Sequence, residues 1–295
     1  MNLVEDLDLM TVDRLNRYGY FWNQRDTAFD RFMMLNALAE RTIRPMQYEV
    51  KISRHLSENK KYTILLPVLN EITQCLRNGH SLQPYLSTQA SNPLHKDNLL
   101  NSWGIHHLHL SSIKTKGTNG FVARKRGQSD LLFLCIKGST AYLIDIVPHA
   151  EQYIFENPRL LEIFDKNWPG LLNEVKMVTG NCFSPEQIKN LRNRGLNYAM
   201  TVNNKTIFPH PVSANGLSME TQMYYRYFCD ELRNVEADVR RRFYEYFPGR
   251  AFSMPKGSLI PEIKLIGIED KYFSLRELGT NHICQALRIP VQQAT

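Results

Sequence analysis

The stretch DLLFLCIKGSTAYLIDIVPH, residues 130–149, decides the fold. Two apolar runs rich in β-branched and aromatic residues, 130–136 and 141–147, flank Lys137, Gly138, Ser139 and Thr140, a sequence suited to a hairpin turn. They predict two antiparallel strands. Upstream, WGIHHLHL at 103–110 has the same character and predicts a third strand. The expected class is α+β: a small antiparallel sheet with flanking helices, followed by a mixed, partly helical C-terminal region.

Side chains alternate faces along a strand. Ile105, His107 and His109 therefore share one side, and His106, Leu108 and Leu110 share the other. In the last strand Tyr142, Ile144 and Ile146 fall on one face and Asp145 on the opposite one, joined by His149 if the extended path continues past Pro148. The sequence does not fix the strand register, but one pairing brings His107, His109, Asp145 and His149 together over one face, with Arg124, Lys125 and Arg126 placed to overhang it from the turn-rich connection 117–128. Four of the nine histidines lie between positions 106 and 149, where uniform scatter over the chain would place about one or two.

Imidazoles supply acid and base near neutral pH, and arginines grip phosphate with two donors at once. The combination suits RNA: a base removes the proton of a ribose 2′-hydroxyl, that oxygen attacks the adjacent phosphorus, and an acid protonates the departing 5′-oxygen. This chemistry calls for neither metal nor cofactor. A bland alternative has the histidines satisfying local hydrogen bonds and residues 124–126 forming a solvated loop, as expected for His106 among its leucines. Another takes His107 and His109 with Asp145 or His149 as ligands of a transition metal; no matching motif elsewhere in the sequence supports it.

Working outward, apolar residues recur at helical spacing from Leu7 to Leu38, and 48–52 reads as a strand followed by a helical pattern over 62–76 that stops before Asn78 and Gly79. Residues 81–99 are polar and turn-rich. Helices are expected over 158–164 and over 185–194, the latter begun by Ser184. A long helical pattern starts near Ser218 and ends at Pro248 and Gly249. Three regions are expected: a helical 1–45, a catalytic α+β domain at 46–177, and a mixed 178–295 that binds a partner or nucleic acid. In the last of these, Arg240, Arg241 and Arg242 interleave with Tyr224, Tyr225, Tyr227, Tyr244 and Tyr246. That mixture can stack bases and hold phosphates, or it can be an amphipathic helix whose arginines pair with Glu231, Glu236 and Asp238.

The chain of 295 residues carries a net charge of +7, a weak bias toward polyanions. Its first residues, MNLVEDLD, are acidic and lack the apolar run of a secretory signal, and no stretch approaches the roughly 20 apolar residues of a membrane span. A soluble, cytoplasmic protein is expected. Five cysteines, spread about fifty residues apart without a Cys-x-x-Cys pair, are expected to be reduced thiols, mostly buried. Walker, Rossmann, His-Glu-x-x-His and Gly-x-Ser-x-Gly patterns do not occur, which argues against nucleotide hydrolysis, nicotinamide redox chemistry and serine esterase activity.

Residues 99–110, 129–133 and 142–149 resemble a group of uncharacterised bacterial proteins sharing the Trp-Gly-Ile-His-His-Leu-His-Leu segment. The order of helix, basic loop, antiparallel strands and terminal histidine over about 48–155, roughly a third of the chain, is also similar to RelE-type messenger-RNA-cleaving toxins of the barnase-like ribonuclease group. This second resemblance implies a ribonuclease toxin or phage-defence effector with RNA as substrate and an antitoxin or other protein as partner. Such toxins are much shorter, so the N-terminal helices and the region after Met177 fall outside it.

Overall fold

Apolar spacing of three and four residues puts Leu3, Leu7 and Leu15 on the buried side of the first helix, α1 (Leu3–Arg17), whose first turn is capped by the Asn2 side chain. The helical pattern expected over 7–38 is two helices, because the chain turns at Gly19, φ 71°, before α2 (Ala28–Arg41) begins. The computed structural model describes residues 1–92, 95–111, 120–122, 130–213, 218–248 and 262–288. They divide into two units, 36–219 and a discontinuous one made of 1–35 with 220–295. The expected boundaries near 45 and 177 are drawn differently here.

The 36–219 unit begins with β1 (Glu49–Ile52), α3 (Arg54–Glu58), α4 (Lys60–Ile64) and α5 (Leu66–Asn78). Pro67, lacking a donor and disfavouring helical geometry in the residue before it, separates the last two helices. Gly79, φ 72°, ends α5 where the sequence places a stop. Next come α6 (Asn98–Trp103), β2 (Ile105–Leu110), β3 (Asp130–Lys137) and β4 (Thr140–Pro148). The strand expected from Trp103 starts two residues later: Asp97 caps α6 by accepting from the Leu100 amide at 3.0 Å, and Gly104, φ 66°, closes it.

The three expected strands pair antiparallel, and a fourth makes the sheet mixed: its order is β1-β4-β3-β2, with β1 parallel to β4. The long path from Ile52 to Thr140 permits that parallel pairing, which a tight turn cannot make. Both faces are covered, so β3 and β4 are almost continuously apolar. Leu132, Leu134, Leu143 and Ile146 pack with Ile72 and Leu76 of α5 on one side. Ile105, Leu131, Phe133, Tyr142 and Ile144 face the other, where the cover is α7 (Arg159–Asn167), α8 (Pro185–Asn193) and the hairpin of β5 (Met200–Val202) with β6 (Lys205–Ile207). A side chain as fully buried as Phe133 contributes about 1.5–3 kcal/mol. Because Ile188, Met200, Val202 and Ile207 share that core, residues 178–219 belong with the sheet.

In the other unit, α1 packs with α9 (Met219–Arg241), α10 (Phe243–Tyr246) and an antiparallel sheet of β7 (Ile263–Ile268), β8 (Tyr272–Glu277) and β9 (Ile283–Leu287). Its core holds Leu3, Leu7, Phe228, Leu232, Val239, Phe273 and Leu275. Among the described residues no helix is long and apolar enough to cross a membrane. The five cysteines form no disulfide; Cys135 and Cys229 are buried and Cys182 is exposed.

Candidate functional site

Strand alternation holds along β2. His107 lies opposite Phe133 and His109 opposite Leu131, both on the face covered by α7 and α8, whereas Leu108 and Leu110 enter the core beneath α5. The His107 and His109 rings lie 5.9 Å apart edge to face, and His149, just beyond β4, stacks on His109 at 5.6 Å. Three of the expected site residues are thus side by side. His109 is buried and His149 exposed, so the row runs from the interior to solvent.

His107 is held at its other end. Its ring contacts Phe155 edge to face at 5.1 Å, and the Asp97 carboxylate stands 3.7 Å from its Nδ1. Asp97 reaches this position because it caps α6 immediately before β2. A small, shallow cleft is lined by Arg41, Ser87, Asp97, Leu100, His106 and His107 among others. Arg41 donates to the carbonyls of Asn92 and His95, fixing the chain that leads to Asp97. Removal from water pushes the half-buried His106 down to about 4, with His107 acting in the same direction and Asp97 against it.

Asp145 shares the sheet face of His107 but stands one strand beyond it, with Phe133 between them. A β-bulge breaks the β3–β4 register between Phe133 and Leu134: Phe133 faces Asp145, Leu134 faces Leu143, and Ile144 is the extra residue. The insertion also sends Ile146 to the core opposite that of Tyr142 and Ile144, against simple alternation. Asp145, only 1% exposed, turns to other partners. Its Oδ1 accepts from the Ile146 amide at 2.8 Å and from Asn59 Nδ2 at 3.0 Å, while Oδ2 faces Arg159 at 3.4 Å and His55 at 3.5 Å.

Arg124, Lys125 and Arg126 lie outside the described residues. Arg240, Arg241 and Arg242 sit at the end of α9 in an ion-pair network: Arg240 with Glu236 at 2.7 Å, Arg241 and Arg242 with Asp238, and Arg242 with Glu245. Hydrogen bonds from those two arginines, Arg242 first, hold the Asp238 carboxyl far below the usual carboxylate range. Glu231 pairs instead with Arg288. Among the described residues no group of three or more His, Cys, Asp or Glu side chains is arranged to hold a metal ion.

Sequence reasoning passed over Asp97, His55, Asn59 and Arg159. Asp97 carried a local signal, an acidic residue directly before a helical NLLNSW run. The other three meet Asp145 across separations of 14 to 90 residues in sequence, and only the fold brings them together. No protein-family model, curated protein or solved structure matches the chain.

Proposed function

We propose that the protein is an endoribonuclease that cleaves RNA by metal-independent acid–base catalysis at the histidine row. The observation that carries this reading is the run of three imidazoles in mutual contact, one end exposed at His149 and the other at His107 beside Asp97 and the cleft. Asp97 favours the Nδ1–H form of His107, leaving Nε2 as base for the 2′-hydroxyl proton. The 2′-oxygen attacks phosphorus, His149 protonates the leaving 5′-oxygen, and the products are a 2′,3′-cyclic phosphate and a 5′-hydroxyl. His109, 6% exposed, is a positioning residue between them. Arg124 and Arg126 are assigned to phosphate binding and charge stabilisation, Lys125 and Arg240–Arg242 to wider contacts with RNA. The resemblance to RelE-type toxins supports a role as a toxin or phage-defence effector with an antitoxin partner.

A second reading, a nucleic-acid or protein-binding module without catalysis, is favoured by the burial of His109. Incubating the protein with labelled RNA and DNA, with and without chelator, separates the two. Chelator-resistant RNA cleavage supports the nuclease, and binding without cleavage supports the module.

A further inference from the structure

Separated from the histidine row by Phe133, Asp145 belongs to a second polar group, on the opposite side of β4 from β3. Ser53 anchors it: its amide donates to the Leu143 carbonyl, its hydroxyl donates to the Ile144 carbonyl at 2.6 Å, and the same hydroxyl caps α3. Asn59 is fully committed, accepting from the Lys61 amide and donating to both Asp145 Oδ1 and the Ile146 carbonyl. Asp145 is therefore fixed, with Oδ1 doubly satisfied and Oδ2 buried without a hydrogen bond. The charge of Arg159, 3.4 Å from Oδ2, offsets part of the cost of burying that oxygen.

Above Oδ2 stand two half-exposed side chains, His55 and Arg159, with Arg159 Nη2 only 2.8 Å from His55 Nε2. A guanidinium can only donate, so in this arrangement Nε2 is the acceptor. Protonation of Nε2 reverses the pattern. The new N–H has Oδ2 as its acceptor, Arg159 loses its bond to the ring, and two cations then stand over one carboxylate with their remaining donors toward solvent. The other charges around His55 are self-compensated or remote: Arg54 pairs with Glu58 at 2.6 Å, with Lys166 near Glu58, and Lys61 pairs with Asp130.

We propose that His55 and Arg159, seated on Asp145, form a binding site for a phosphate group, which is taken up together with a proton on His55. The ligand class is a tetrahedral oxyanion: Arg159 offers a planar fork of donors, His55 an imidazolium N–H, and Asp145 keeps both cations in place from below. The site shares no residue with the histidine row and stands whether or not that row cleaves RNA.

Calorimetric titration with sulfate, a dianion throughout pH 6–8, isolates the protein's own proton. Sulfate affinity is expected to rise about tenfold from pH 8 to pH 6, as for a cation added beside the ligand. His55→Gln should abolish that pH dependence, and Arg159→Gln should weaken binding about tenfold or more at both pH values. Both residues are half-exposed, so melting temperatures should stay within a few degrees of the parent. Parallel titrations with inorganic phosphate and a nucleoside 5′-monophosphate identify the source: equal affinity means the phosphate group alone is read, and tighter binding of the nucleotide means the phosphate is presented on a nucleotide. Absence of sulfate and phosphate binding at pH 6, or binding unchanged in both folded variants, would overturn the proposal.

Discussion

The imidazole of His149 stacks on that of His109, with ring centroids 5.6 Å apart and 29° between their planes. One ring is exposed and the other buried, so the two histidines should respond differently to truncation. His149→Ala should reduce RNA cleavage about a hundredfold or more, the usual worth of a general acid, with little change in melting temperature. His109→Ala should lower stability by about 1–3 kcal/mol, because it empties a buried ring position between His107 and His149. Activity assays paired with thermal melts check the split; equal loss of stability in both variants would count against it.

Asp97 has two duties, capping α6 and facing His107. Asn is as good a cap as Asp, so Asp97→Asn separates them. Its melting temperature should stay near that of the parent while kcat falls about tenfold or more through loss of the charge beside His107. Asp97→Ala should in addition lose about 1 kcal/mol of stability.

Burial lowers the His106 pKa from 6.5 to about 4, so between these values the unfolded chain binds a proton that the folded chain refuses. Stability attributable to this residue is complete above pH 6.5 and is lost as the pH falls toward 4. Since His106 is only half-buried, the loss is about 1–2 kcal/mol after allowance for solvent screening. Denaturant unfolding of His106→Gln should show a flatter pH profile in that window; an unchanged slope would show that another group governs it.

Burial raises the Cys135 thiol to about 11, and Cys229 is also buried, whereas Cys182 is exposed. Thiolate is the reactive form. Under native, reducing purification Cys182 should alkylate first, and Cys135 and Cys229 should react only on unfolding. Mass mapping of the labelled protein checks the order, and a disulfide found in it would contradict the unpaired state.

The three-stranded antiparallel core was legible because each strand announces itself locally, through apolar runs bounded by turn residues. Ser184 and Gly79 likewise marked helix ends by local chemistry alone. The pairing of His107 with His109 followed from the two-residue period of a strand, whereas the stacking of His149 on His109 depends on a register that the sequence leaves open. Asp145 lies on the face that alternation assigns it, but Phe133 stands between it and His107, and the partners its carboxylate meets, His55, Asn59 and Arg159, come from distant parts of the sequence; nothing in LIDIV marks the bulge at Ile144. The parallel partner β1 was also hidden: pairing Glu49 with Thr140 depends on a contact spanning about half of the unit, not on any pattern near either residue. For the same reason, residues 178–219 gave no local sign that they pack beneath the sheet.

The central claim is acid–base cleavage at the histidine row, and the most direct test is end-group analysis of a labelled RNA incubated with the protein in the presence of chelator. The expected products carry 2′,3′-cyclic phosphate and 5′-hydroxyl ends, and folded His107→Ala and His149→Ala proteins should form them about a hundredfold or more slowly. RNA left intact by the parent protein, or cleavage unchanged in both variants, would contradict it.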